Sequence, residues 1–203
     1  MLIQPKSILK KVYPKAIWNL DRTEKTIYLT FDDGPIPNLT EWVLDELLKY
    51  NAKATFFCVG ANILKHPEVF EKTLLAGHLA ANHSMNHVKG FKYTVADYLK
   101  EADECKKLIG NNLFRPPYGQ LKRSQYKALT EKNYKIILWD VISYDYETIS
   151  PERCANNVIQ NAKNGSVVLF HDNLKAEKNL KYALPLFLKH FSHLGYKFKV
   201  IET

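Results

Sequence analysis

Thr26-Ile27-Tyr28-Leu29-Thr30-Phe31-Asp32-Asp33-Gly34-Pro35 decides how this chain is read: a short β-branched and aromatic run breaks off in two adjacent carboxylates and a Gly-Pro turn. The run is too short for an ordinary helix and too apolar for a surface loop, so it reads as a buried strand that presents acids at its end. Similar runs recur at 54–59, 79–82, 113–115, 135–140, 166–170 and 197–201. Amphipathic segments lie between them. Residues 39–50 put Val43, Leu44, Leu47 and Leu48 on one face. Residues 94–109 open with Thr94 three before Asp97 and stop at Gly110, residues 151–162 follow Ser150 with Pro151 at the first turn, and residues 182–194 close at Gly195. Seven strands alternating with helices predict an α/β domain with a mostly parallel sheet. Such folds carry their chemistry at the C-terminal strand ends, whether the sheet is open or closed into a barrel, and periodicity alone does not separate the two.

The 203 residues suit one domain, with 46% apolar and 25% charged residues as in an ordinary globular protein. Lys and Arg exceed Asp and Glu by 29 to 21, but only four of these cations are Arg and the lysines are scattered in ones and twos. That is a solvated lysine surface rather than a nucleic-acid stripe. No run is apolar and long enough to be a membrane helix. Cys58, Cys105 and Cys154 form no CxxC pair or metal spacing and suit a reducing compartment. The first twenty residues carry Pro5, Lys6, Lys10, Lys11, Pro14 and Lys15 without the apolar core of a secretory signal, so the expected setting is cytoplasmic; a trimmed exported precursor would read the same way. The expected division is an N-terminal arm over residues 1–24 and one domain over 25–203, monomeric by default.

Reactive residues follow several of the predicted strands. In Asp32-Asp33 one carboxylate could bind a metal while the other moves protons, although Asp-Gly-Pro alone is common turn chemistry. His83-Ser84-Met85-Asn86-His87 has the i, i+4 spacing that places two imidazoles on one face of a helical turn. With Asp33 these make a two-His-one-carboxylate set that leaves coordination positions open. In Arg115-Pro116-Pro117-Tyr118-Gly119 the proline holds Arg115 on extended backbone, where it would tether and aim a carboxylate. Leu169-Phe170-His171 ends another strand, and Asp145 could pair with its imidazole. His66, His78, His190 and His193 have no such company and read as structural or surface residues.

Taken in order, these segments resemble the polysaccharide deacetylase family, also called the NodB homology domain or carbohydrate esterase family 4. Residues 30–35 match its first motif, His83 and His87 the second, residues 115–119 the third, and Leu169 with His171 the fifth. The resemblance implies a deformed (β/α) barrel of about seven parallel strands in a single domain. It implies metal-dependent hydrolysis of N-acetyl groups on amino sugars of the chitooligosaccharide or peptidoglycan type, with an N-acetylated oligo- or polysaccharide as partner and no nucleic acid. By motif, Asp33, His83 and His87 would hold a divalent metal, zinc first and cobalt or nickel as alternatives. Asp32 would be the base, Arg115 its tether, His171 the acid and Asp145 the group that orients it. The Tyr118 N–H would complete an oxyanion site, and Pro117, Tyr146 and Leu169 would contact substrate. The fourth motif departs from the family's Asp-x-x-Asp-Trp, reading Ile142-Ser143-Tyr144-Asp145-Tyr146. That departure bears on substrate more than on reaction. The alternatives are an O-acetyl-xylan esterase or amino-sugar deformylase on the same scaffold and, from another class, a non-catalytic carbohydrate-binding protein.

Overall fold

Strand β1 (Thr26–Asp32) lies at the centre of the sheet, flanked in parallel by β2 (Ala54–Cys58) and β7 (Val167–His171). The computed structural model describes residues 3–5 and 7–202. Outward from β2 come β3 (Leu79–Asn82), β4 (Leu113–Phe114) and β5 (Lys135–Ile136), and outward from β7 comes β6 (Val141–Ile142). The short β8 (Lys197–Phe198) pairs with the first residues of β1. Among the described residues every pairing between these strands is parallel, and Asn19 makes one isolated antiparallel bridge to Ser166. The register sets Asp32 beside Phe57 on one side and His171 on the other, so the strands deliver their last residues to one rim.

The helices are α1 (Ser7–Val12), α2 (Leu39–Leu48), α3 (Gly60–Lys65), α4 (Pro67–Leu75), α5 (Val95–Ile109), α6 (Arg123–Glu131), α7 (Pro151–Ile159) and α8 (Glu177–His193). The caps read from the sequence are in place. Thr94 Oγ1 accepts from the Asp97 N–H, Gly110 closes α5 at φ 80°, and Ser150 Oγ accepts from the Arg153 N–H. α8 starts five residues before its expected onset and runs through Pro185.

Alternation along β1 sorts its side chains between two layers. Ile27, Leu29 and Phe31 enter the apolar layer shared with α2, α7 and α8, where Phe31 stacks on Phe56 with ring centroids 5.0 Å apart. Tyr28, Thr30 and Asp32 point the other way, to the barrel interior that Phe57, Ala81, Ile137 and Val167 fill.

The run 135–140, expected as one strand, is a strand only at its start, and a further strand not expected from the sequence follows it. β5 ends at Ile136, β6 begins at Val141, and these two strands are the opposite edges of the sheet. The barrel is therefore not closed by direct pairing of β5 and β6. Ile17 N–H donates to Ile136 O and Leu138 N–H to Ile17 O, both at 2.8 Å, and Leu20 N–H donates to Gly165 O at 2.9 Å. Residues 17–20 thus satisfy backbone groups on both sides of the seam. Among the described residues no helix is long and apolar enough to cross a membrane.

Candidate active site

Asp32 is the last residue of β1, and Asp33 leaves the strand at φ 87°. That left-handed turn brings two consecutive carboxylates, which would diverge on an extended strand, to one cavity. The turn is held from behind. Asp172, buried at the end of β7, accepts from the Gly34 N–H at 3.0 Å and from the Thr40 hydroxyl at 2.6 Å, while its own N–H donates to Asp32 O. A Cβ on Gly34 would lie 2.0 Å from Asp172 Oδ2, so any other residue there would have to displace the Asp172 side chain. Burial, with the Asp33 charge adding to it, pushes the Asp172 pKa up to about 8. Asn62 Nδ2 donates to Asp33 O at 2.7 Å, and Asn173 Nδ2 donates to Asp33 Oδ2.

The two imidazoles come from the loop after β3, and no helical turn relates them. Ser84 and His87 sit at φ 63° and 52°, and the loop is pinned by Ser84 N–H on Asn82 Oδ1 and Val88 N–H on Ser84 Oγ. The expected spacing works for another reason: a left-handed loop folds His87 back beside His83, ring centroids 5.1 Å apart. His83 Nδ1 lies 2.8 Å from the carbonyl oxygen of Arg115. A carbonyl only accepts, so Nδ1 carries the proton and Nε2 presents its lone pair to the cavity. Burial lowers the His83 pKa to about 4, against the pull of Asp32, and keeps the ring neutral.

Asp33 Oδ1 is 2.9 Å from His87 Nε2 and 3.5 Å from His83 Nε2. It is buried and, among the described residues, without a properly directed hydrogen bond. Ligands at zinc-like bond lengths around a tetrahedral centre stand about 3.3 Å apart. The three ligand atoms, all within 4.8 Å of one another, therefore suit a shared cation better than they suit each other.

Arg115 is fully buried with its guanidinium 3.9 Å over the Phe57 ring. Nη1 donates to Asp32 Oδ1 at 2.7 Å and to Thr30 Oγ1 at 2.8 Å; Nε and Nη2 donate to the carbonyls of Ile137 and Leu138. One Asp32 oxygen is thus fixed, while Oδ2 lies 3.7 Å from His83 Nε2. From the turn that follows β6, Asp145 grips His171 at the end of β7 twice, Oδ1 at Nδ1 and Oδ2 at the backbone N–H, both at 2.8 Å. Burial disfavours the imidazolium, but Asp145, with Asp33 and Asp32 beyond it, outweighs burial and raises the His171 pKa to about 9.

These groups open into a cavity of about 530 Å3 walled by Tyr118, Trp139, Ile142, Tyr144, Tyr146 and Leu169. Tyr118, at φ 59°, rests its ring 4.6 Å from that of His87, and Tyr146 sets its ring edge-on to His171 at 4.7 Å. Pro117 is buried behind Tyr118 and does not line the cavity. Trp139, Asp172 and Asn173 carry no motif that marks them in the sequence. Trp139 closes the apolar run 136–139, and a Cβ on Gly119 would approach its ring to 2.7 Å, so the RPPYG loop lies directly on it.

Residues 19–137 match a family model described as polysaccharide deacetylase. The chain belongs to the polysaccharide deacetylase family. On that kinship it is a hydrolase of carbon–nitrogen bonds other than peptide bonds. This polysaccharide deacetylase is 33% identical over 192 residues to a peptidoglycan-N-acetylglucosamine deacetylase of Bacillus cereus, covering 91% of this chain and 90% of that one. Its fold is similar to that of the Bc1960 peptidoglycan N-acetylglucosamine deacetylase, with a TM-score of 0.88 at 29% identity over 97% and 94% of the two chains. A carbohydrate esterase family 4 pseudoenzyme from Bacillus anthracis also superposes, with a TM-score of 0.82 at 21% identity over 97% and 71%. That likeness is one of fold alone, so the chemistry must be argued from the side chains.

Proposed function

We propose that this chain removes the N-acetyl group of an amino sugar in a peptidoglycan or chitooligosaccharide type of glycan, using a divalent metal, zinc first, held by Asp33, His83 and His87. The observation that carries the reading is the buried Asp33 Oδ1, which faces two imidazole nitrogens and, among the described residues, has no properly directed hydrogen bond. A cation held there supplies positive charge that polarises the acyl oxygen and acidifies water.

The remaining work falls to side chains already in place. Asp32 takes the proton of the attacking water on Oδ2, because Arg115 holds Oδ1 and keeps the carboxylate from swinging away. The backbone N–H of Tyr118 is the proposed second donor to the developing oxyanion. His171 arrives charged at neutral pH and gives its Nε2 proton to the departing nitrogen while Asp145 retains Nδ1. Arg115 holds Asp32 in place as the base, and the Asp145 carboxylate keeps His171 protonated as the acid. Leu169, Trp139 and Tyr146 give the acetyl methyl an apolar wall and exclude water from it.

Acetate release from N-acetylated chitooligosaccharides, peptidoglycan fragments and acetylated xylan, each with and without a chelator, tests the reading. Chelator-sensitive release from the amino-sugar substrates is expected. Release confined to xylan esters would assign an O-acetyl esterase instead, and metal binding without any release would assign a glycan-binding protein. Replacing His171 by Ala should cost an N-acetyl substrate far more than an O-acetyl ester, since an alkoxide leaves with little help. Equal losses would remove the acid role.

A further inference from the structure

Each working end of the cavity has an aromatic ring against it, and each ring has a lysine over it. On the metal side Tyr118 lies against His87, and Lys89 Nζ stands 4.9 Å from the Tyr118 centroid. On the acid side Tyr146 lies against His171, and Lys175 Nζ stands 5.7 Å from the Tyr146 centroid, on the cavity wall. The ring face attracts the ammonium and limits its wandering without neutralising it. Both lysines are exposed, and among the described residues neither has a carboxylate within ion-pair distance. Lys72, Lys132 and Lys181, by contrast, each hold a partner.

The floor of the cavity does not supply the missing anions. Asp32 is matched by Arg115, Asp145 by His171, and Asp33 faces the two metal-binding imidazoles. With a divalent cation on Asp33 the mouth is positive, and a cleft of one sign concentrates ligands of the other. Two ammoniums on two separate rings suit single charges spaced along a chain. A phosphate would call for donors converging on one point.

We propose that Lys89 and Lys175 form an anion-reading rim, which makes this enzyme select a glycan carrying carboxylates on the sugars next to the acetamido group it attacks over a neutral chain of the same length. The inference rests on the deacetylation reading and adds the charge of its substrate. The carboxylate is taken to belong to the sugar itself; a peptide attached to the glycan is the other source.

Equilibrium binding to zinc-loaded Asp32→Asn protein, where turnover cannot intrude, tests this with three tetrasaccharides. One contains only N-acetylglucosamine. The second alternates it with N-acetylmuramic acid bearing free lactyl carboxylates. The third has those carboxylates capped by a short acidic peptide. The free-acid tetramer should bind about tenfold tighter than the neutral one at low salt, and the gap should close at high salt. Lys89→Gln and Lys175→Gln should each weaken the acidic ligand about threefold, and together bring it to the neutral level, with the neutral ligand unchanged. Equal binding of neutral and acidic tetramers, variants that weaken both alike, or no binding at all would overturn the proposal. A preference seen only with the peptide-capped tetramer would overturn the sugar acid as the source. Acetate release by the unmodified enzyme from the neutral and the free-acid tetramers is scored separately. If both fail while the charge preference stands, the deacetylation reading falls and the anion rim does not.

Discussion

His171 and Asp145 are joined by two hydrogen bonds from one carboxylate, Oδ1 to the ring Nδ1 and Oδ2 to the backbone N–H, each 2.8 Å long. A single-point contact would orient the ring loosely. The double grip fixes the ring to its own strand, while the Asp145 charge holds the imidazole protonated well above its ordinary range. A group that must donate a proton loses its function when it titrates, so the alkaline limb of activity should report His171. In Asp145→Asn the charge is gone and the His171 pKa falls, so that limb should move to lower pH by more than about one unit. Turnover of an N-acetyl substrate should drop by about 10²–10⁴. Full pH–rate profiles of both proteins check this, and an unmoved limb would assign it to another group.

The metal ligands and the base predict opposite failures. His83→Ala removes a buried ligand, so metal content and activity should vanish together. Asp32→Asn keeps every proposed ligand, with the amide oxygen still able to accept from Arg115. It should retain the metal and the fold yet lose turnover by at least about 10². Metal content by elemental analysis, read beside acetate release, separates the two. Full metal occupancy in His83→Ala would remove it from the ligand set.

Gly34 should be among the least replaceable residues near the site although it touches no substrate. A methyl there would meet the Asp172 carboxylate at 2.0 Å, and Asp172 is held by Thr40. Gly34→Ala should destabilise the domain by about 1–3 kcal/mol. By shifting Asp33 it should also weaken metal binding about tenfold or more. Adding Asp172→Ala relieves the clash but removes the clamp, so the pair should recover part of the stability and little of the metal affinity. Urea midpoints and competition with a chromogenic chelator measure the two, and simple additivity would argue against the contact.

What could be read from the sequence was set by strand ends. A buried run that stops at a polar residue marks a rim, and Asp32, Asp33, Arg115 and His171 all stand there for that reason. The spacing of His83 and His87 marks them as a pair and suggests a helical turn, but the backbone there is a loop with two left-handed residues, because periodicity records separation and not backbone path. Residues 136–139 are apolar throughout, and nothing in composition marks the break after Ile136 where the chain passes from one sheet edge to the other. Trp139, Asp172 and Asn173 matter through what they meet across 20, 138 and 140 residues of chain: Gly119, Gly34 and Asp33. No local pattern encodes such meetings.

His78 predicts how the fold responds to acid, apart from catalysis. It is buried beneath β2, where Nδ1 accepts the Ala54 N–H at 3.2 Å and the ring meets Phe56 edge-on. A protonated Nδ1 cannot accept, and burial, with nearby Lys53 adding to it, lowers the pKa from 6.5 to about 4. Between those two values the unfolded chain binds the proton and the folded one does not. Stability from this residue is therefore complete above pH 6.5 and is lost as pH falls toward 4, by up to about 3 kcal/mol. Urea unfolding of metal-free protein across that range should show the decline. His78→Gln, which can still accept from Ala54 but does not titrate, should make the decline shallower, leaving the share of buried His83, at the cost of a lower plateau. An unchanged slope in the variant would place the acid sensitivity in other groups.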